Sequence, residues 1–333
     1  MASWRKRRLV VRKRILSFIL LGWILLLIGD RVGELRVYQG AQIAMYAIAL
    51  SSIVLLTGYS GQVSLGNGAM MAVGGYSAAI TLNNLKLPLW TAFIAAIVVA
   101  ALFGSLLGAA AARLSGPYLA GTTLALAVGL PAIANQFSFL GGEPGLLFDV
   151  GAPPARFGEE FTQYKWFFWI ASFIAILALF ITSNILRSRF GRTWRAVRGN
   201  TLAAELSGVP SSRMKILAFT VSSALAGLAG AVLGMTISLV APGAYSLALS
   251  FSLVTGAVLA GISSLPGVVF GGAILVAIPE ISDALANRLG GADKLNNYLP
   301  GLISSVLLIL SVIYTPNGPG ENLRRHLPKR PAR

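Results

Sequence analysis

The chain has 333 residues, 56% of them hydrophobic and only 11% charged, where a soluble domain carries about 25% charged residues. With a mean hydropathy of +0.75, this composition excludes a disordered chain, a collagen and a soluble enzyme core, and describes a protein whose solvent is mostly lipid. Zero cysteines and one histidine, His326, exclude disulfide frameworks, clustered metal sites and the usual nucleophilic triads, so neither a metal nor a cofactor is expected.

A net charge of +16 raises nucleic acid as a partner, and the placement of the charges argues against it. Residues 1–14 hold seven Lys or Arg, residues 187–215 hold seven against Glu205, and residues 316–333 hold five against Glu321. From Val37 to Leu85 and from Ile216 to Pro279 there is no charge at all, which fits buried spans and not a phosphate-binding groove. The lipid bilayer is the expected surrounding.

About 20 apolar residues at 1.5 Å rise cross a hydrocarbon core of roughly 30 Å. On that measure the chain reads as an all-α, polytopic transmembrane bundle of about ten spans: 15–29, 37–57, 62–82, 88–112, 117–137, 165–186, 214–240, 246–263, 265–286 and 298–315. Glycine, proline and polar residues interrupt the third, fifth, eighth and ninth, which read equally as broken or re-entrant helices, with eight full spans as the smaller count. The domain organisation is then a basic N-terminus over 1–14, one membrane domain over 15–315 with a loop at 187–213, and a basic tail over 316–333. The first run follows a basic segment as a signal peptide does, yet ends in Gly29, Asp30 and Arg31 without a small-x-small cleavage site, so a retained signal anchor is expected. Trp166 and Trp169 beside Lys165 suit an interfacial belt at the start of the sixth span.

Charge tests the count. With both termini cytoplasmic, the inner loops carry 20 bases and two acids, and the outer loops seven bases and nine acids. Basic loops stay inside during insertion, and an even number of spans brings all three basic clusters to that side.

The stretch Leu56–Ala79 contains Gly58, Gly61, Gly66, Gly68, Gly74 and Gly75, each weakening a plain helix by about 1 kcal/mol relative to alanine. Gly104 with Gly108, Gly230 with Gly234, and Gly267 with Gly271 have the spacing of close helix packing. Over residues 58–75 the polar Gln62, Ser64 and Asn67 add a second reading, a pathway or gate, since irregular backbone at membrane depth is tolerated where it is buried in protein or lines a wet cavity. These residues are candidates for a translocation pathway. Thr122 and Thr123, inside the apolar run after Pro117, are weaker candidates for the same pathway, because threonine hydroxyls also bond back to their own helix. Gly141, Gly142 and Gly145 open the longest outer loop, either as turn residues or as an outer docking surface.

The basic stretch after Arg187 is the most specific feature. Arg192, Arg195 and Arg198 recur at three-residue spacing on one helix face, with Trp194 and Val197 on others. Asn200 or Thr201 is placed to cap a second short helix through Ala203, Ala204 and Glu205, which Gly208 ends ahead of Pro210. A loop that served topology alone would need only its basic residues. Two capped helices joined by a tight turn suit docking of a partner.

The spans offer no Asp, Glu, His, Lys or Arg at depth, since Glu280 and Asp283 fall at the outer end of the ninth segment. Proton coupling and intramembrane hydrolysis therefore lose their usual groups, while sodium coupling through unwound carbonyls stays open. A P-loop needs Gly directly before Lys, and none of the seven lysines has one.

Three segments together carry a resemblance: LTGYSGQVSLGNGAMMAVGGYSAA, GPYLAGTTLALA through GGEPGL, and SRFGRTWRAVRGNTLAAELSGVPSSRMKILAFTVSSALAGLAGAV. The chain resembles the permease subunits of branched-chain amino-acid ABC importers, more closely the second of their two paired permeases, from about residue 40 to 318. The resemblance implies a multi-pass protein of a bacterial or archaeal inner membrane. Its implied partners are a homologous permease subunit, two ABC ATPase subunits and an extracytoplasmic solute-binding protein. It implies that Ala203, Ala204, Glu205 and Gly208 belong to an ATPase-coupling loop, which Arg195 and Arg198 adjoin. Gly58, Gly61, Gln62, Ser64, Leu65 and Gly66 would match a translocation segment, and Gly141, Gly142, Gly145 and Leu146 an outer loop. Asn67 stands where a histidine is common, and Leu140 where a threonine often precedes the glycine pair. The implied function is a non-enzymatic transport subunit for branched-chain amino acids or similar small solutes. An ion-coupled or passive secondary carrier is the other reading of the residues.

Overall fold

The computed structural model describes residues 31–114, 116–154, 157, 158 and 161–288, with 22, 299, 301–303, 305–307, 309, 310 and 313. The expected span 15–29 and the two basic termini lie outside the described residues, apart from residue 22, and so does much of 298–315.

Among the described residues from 31 to 288 there are ten α-helices. They are α1 (Glu34–Ile53), extended by a π-helical turn over Val54–Tyr59, then α2 (Asn67–Asn83), α3 (Leu89–Ala111), α4 (Pro117–Gln136), α5 (Gln163–Arg187), α6 (Arg189–Gly199), α7 (Thr201–Leu206), α8 (Ser211–Ile237), α9 (Leu247–Ala260) and α10 (Gly267–Arg288). Two-residue strands β1 (Leu146–Leu147) and β2 (Leu239–Val240) pair antiparallel. Each of the eight segments predicted between 37 and 286 is a helix here, and the fold is all-α. Seven stretches among the described residues are long and apolar enough to cross a membrane: Glu34–Tyr59, Leu89–Ala111, Tyr118–Gln136, Gln163–Arg187, Ser211–Ile237, Pro242–Ala260 and Gly267–Leu285. The predicted segment 62–82 starts as helix only at Asn67, and 246–263 contracts to the 14 residues of α9.

The long helices α1 and α8 are the most enclosed of these stretches. Helix α2 lies among them with 13 of its 17 residues buried, from Asn67 to Thr81. Such a helix is apolar all round because it has no outward face. Small residues allow the approach. A Cβ on Gly74 would overlap the backbone of Gly227, one on Gly230 the carbonyl of Met71, and one on Gly104 the Ser223 side chain. The same holds for Gly267 against the Ala260 carbonyl, while a Cβ on Gly271 would stand 2.6 Å from the Gly256 carbonyl oxygen. The three glycine pairs read as packing from the sequence therefore pack, and Gly74 and Gly75 join them. With lipid on the outside there is little hydrophobic drive between helices, so backbone proximity and dispersion hold this centre together. Tyr245, fully buried, adds a hydrogen bond from its hydroxyl to the Gly230 carbonyl at 2.9 Å.

The helix ends sort into two groups. At one end the turn after α1, the turn before α4, the α6–α7 hairpin and the α9–α10 turn come together. At the other end Asn83 Nδ2 donates to the Leu147 carbonyl at 2.7 Å, and β1 meets β2. Arg288, Glu280 and Asp283 belong to the far part of α10, and both of those acids are exposed.

Candidate functional site

The glycine-rich break begins where α1 loosens. Residues Val54–Tyr59 form a π-helical turn, in which the Ser60 amide reaches back to Leu55 and the Gln62 amide to Leu56. π-Turns are rare and concentrate at functional sites. Gly61 follows with φ of +75°, in the left-handed region that costs other residues strain. Helix α2 resumes only at Asn67.

The break is held by side chains from α4, α9 and α1 together with its own. Thr123 Oγ1 on α4 accepts from the Leu65 amide at 3.0 Å, and Ser250 Oγ on α9 accepts from the Gly68 amide at 3.2 Å. Asn67 Nδ2 donates to Ser52 Oγ at 2.8 Å, and Gln62 Nε2 donates to Ser60 Oγ at 2.7 Å. Ser64 Oγ accepts from the Gly66 amide at 3.2 Å. Gln62, Ser64 and Asn67 are all buried; Ser64 satisfies a backbone amide of the irregular stretch, while Gln62 and Asn67 tie it to neighbouring hydroxyls. Thr123 belongs to this set. Thr122 is exposed and bonds the Leu119 carbonyl of its own helix at 2.9 Å, so the structure separates the two threonines.

Below this break stands the hairpin. Ser188 caps α6 by accepting from the Phe190 amide at 3.2 Å, and Asn200 caps α7 by accepting from the Ala203 amide at 3.0 Å. Gly208, at φ +82°, ends α7, with its amide on the Glu205 carbonyl at 2.9 Å. Ser211 Oγ donates to the Glu205 carboxylate across the turn. The buried side of α6 carries Gly191, Trp194 and Val197. Trp194 Nε1 donates to the Met214 carbonyl at 2.9 Å, which fastens the hairpin to the start of α8. On α7, Ala204 is buried while Leu202 and Leu206, one turn apart, are 67% and 84% exposed. That apolar pair beside Glu205 escaped the sequence reading, because leucines in a hydrophobic chain carry no signal until their surroundings are known.

The arginines join hairpin and break. Arg198 Nη1 donates to the Gly58 carbonyl and to Ser263 Oγ at 3.2 Å. The last carbonyls of a helix have no partner within it and favour a cation, so Arg198 caps the π-helical end of α1 from a distant element. Its Cγ would stand 2.7 Å from a Cβ on Gly61, and a Cβ on Gly58 would overlap the Ile262 carbonyl. Arg195 lies over the Tyr59 ring, 5.7 Å from its centroid. Tyr59, Ser263, Ser52 and Ser250 were not singled out in sequence, since each acts through a long-range contact.

The glycines expected in an outer loop shape a turn. Gly141, Gly142 and Gly145 have φ of +84°, +60° and +80°. A Cβ on Gly141 would overlap Gly145, and one on Gly145 the Val240 carbonyl. Among the described residues no group of three or more acidic, His or Cys side chains is arranged to hold a metal.

Comparison with known proteins fits this geometry. Residues 37–312 match the family model for "Branched-chain amino acid transport system / permease component". The high-affinity branched-chain amino acid transport system permease proteins LivM of Salmonella typhimurium and of Escherichia coli are each 28% identical over 298 residues, spanning 82% of this chain and 67% of theirs. The permease protein BraD of Pseudomonas aeruginosa is 28% identical over 290 residues, 82% of this chain and 90% of its own. The resemblance read from the residues, to the second of the paired permeases, agrees with the LivM relatives. With a match that spans most of its length and includes both the glycine-rich break and the hairpin, the chain is a multi-pass membrane protein that belongs to the family of branched-chain amino acid transport system permease components.

Proposed function

We propose that this chain is one of two paired membrane-spanning subunits of an ATP-driven importer, carrying branched-chain amino acids or similarly small solutes inward across a bacterial or archaeal plasma membrane. The substrate class comes from the names of its relatives. The proposed arrangement has ten spans, both termini in the cytoplasm, a membrane domain over 15–315 and cytoplasmic basic ends at 1–14 and 316–333. The hairpin within 187–213 then lies in the cytoplasm, where the count of basic residues favours it. Its partners are a homologous permease, two ATPases and an outer solute-binding protein.

One observation carries the reading: the hairpin is joined to the glycine-rich break by the hydrogen bond from Arg198 to Gly58. Leu202 and Leu206 give an ATPase an apolar purchase beside Glu205, Ala203 and Gly208. Motion of α7 passes through the capped turn at Asn200 into α6, and through Arg198 into the end of α1 and the α9–α10 turn. The break at 58–66 is where backbone can move without unmaking a regular helix, and Gln62, Ser64, Asn67 and Thr123 supply polar groups as it does. The turn at Gly141–Gly145 stands at the opposite end, where delivery of solute would occur.

The test is uptake of radiolabelled leucine by vesicles bearing the complete system, with and without enclosed ATP. Uptake that requires ATP is expected. Equal uptake by vesicles that contain this chain and its paired permease without any ATPase would convert the reading to a passive or ion-coupled carrier.

A further inference from the structure

A cleft of about 350 Å³ opens where the hairpin meets the glycine-rich break and the turn between α3 and α4. Arg198 and Lys215 line it, and no acidic residue does. Glu205, the one acid within 187–215, is engaged by Ser211 and stands outside the lining. Two cations that face one cavity repel each other, and an anion between them relieves the repulsion. Both have groups to offer one. Arg198 holds Gly58 and Ser263 through Nη1 alone, and a guanidinium has five N–H donors in all. Gln62 engages Lys215 through its backbone carbonyl, which leaves the ammonium to the cleft. The rest of the wall is apolar, from Val63, Leu114, Leu119 and Ala120. These residues adjoin the ends of three spans, at Tyr59, Ala111 and Tyr118, so the cleft sits at the boundary between hydrocarbon and water, where lipid phosphates lie. Val63 is 51% exposed and Tyr118, beside the wall at the start of α4, is 76% exposed.

We propose that this cleft binds the phosphodiester headgroup of an anionic phospholipid. The phosphate oxygens pair with the Lys215 ammonium and with guanidinium N–H groups of Arg198 not used on Gly58, and an acyl chain runs along Val63, Leu119 and Ala120 past Tyr118. Basic pockets between membrane helices hold anionic headgroups in this way. A free phosphate would use the cations and leave the apolar wall bare, and a zwitterionic lipid would bring a third cation to the first two. The bound lipid touches the hairpin, the break and the α3–α4 turn at once, so the charge of the surrounding leaflet bears on the joint between Arg198 and Gly58. The inference needs only a chain that spans a bilayer, and is independent of which solute it carries and of what drives it.

The chain contains no cysteine, so single introduced thiols report without background. The full chain carrying Ala120→Cys, in mild detergent, is labelled with a maleimide while dioleoyl-phosphatidylglycerol, dioleoyl-phosphatidylcholine, glycerol 3-phosphate or inorganic phosphate is added. Phosphatidylglycerol is expected to slow labelling, and each of the other three to require about tenfold more or to have no effect. Leu202→Cys, outside the cleft, is expected to label at the same rate throughout. Adding Lys215→Met to Ala120→Cys should raise the phosphatidylglycerol needed by about tenfold, the effect of losing one charge-assisted hydrogen bond. Lys215→Arg should keep the original value, and so should Lys86→Met, which removes a cation from the opposite end of the helices. Protection by either soluble phosphate as strong as by phosphatidylglycerol would overturn the proposal in favour of a free-anion site, and equal protection by phosphatidylcholine would reduce the cleft to an apolar contact. Phosphatidylglycerol protection that survives Lys215→Met unchanged, or no protection at all, would overturn it outright.

Discussion

Arg198 and Gly58, 140 residues apart, are joined by a hydrogen bond from a guanidinium nitrogen to a carbonyl that the π-helical turn leaves without a helical partner. The same guanidinium reaches Ser263, so one side chain ties three segments. Replacing Arg198 with methionine removes the donor and the charge while keeping the aliphatic stem. The expected result is normal membrane insertion with leucine uptake lowered about tenfold, the worth of one hydrogen bond to a charged group. Lysine at this position, with a single point charge, is expected to recover only part of the loss.

Gly208 tests the hairpin as a mechanical part. Its φ of +82° makes alanine there cost about 1 kcal/mol of local strain, whereas asparagine tolerates that region. Gly208→Ala should reduce uptake and transport-stimulated ATPase activity with unchanged abundance in the membrane, and Gly208→Asn should reduce them less. Glu205→Ala, which loses the closure with Ser211, is expected to behave as Gly208→Ala does. Normal uptake in both alanine variants would remove the hairpin from the mechanism.

Leu202 and Leu206 give a different signature. Both are largely exposed, so Leu202→Ser with Leu206→Ser should leave thermal unfolding of the detergent-solubilised chain unchanged within a few tenths of a kcal/mol. Co-purification of the ATPase subunits is the readout, and it is expected to fall steeply.

The neighbouring threonines should separate. Thr123→Val leaves the Leu65 amide without its acceptor, at a cost of about 1–3 kcal/mol, and lowers both stability and uptake. Thr122→Val loses a bond only to its own helix and is expected to be near neutral. A thermal-shift and uptake pair on each variant distinguishes them.

Gly230 sits so close to Met71 that any side chain displaces backbone. Gly230→Ala is expected to destabilise by about 1–3 kcal/mol, as overpacking does, seen as earlier aggregation on heating in detergent.

How much of this was legible in advance differs by level. The eight central helices follow from apolar run length alone, because a bilayer sets the length of whatever crosses it. The hairpin was equally legible, since Asn200, Gly208 and Pro210 act on their own neighbours within a few residues. The packing glycines could be picked out by spacing, although Gly74 and Gly75 read as part of a gate until α8 was seen against them.

What composition and local chemistry determined is a polytopic helical protein with a glycine-rich break and a capped basic hairpin. Tertiary structure alone decided which of Thr122 and Thr123 meets the break, which carbonyl Arg198 caps, and that Gln62 reaches Ser60 and the Lys215 carbonyl. The reason is physical: caps and breakers act over a few residues of one chain segment. A hydrogen bond between elements depends on how helices cross, and that crossing is set by many small contacts at once.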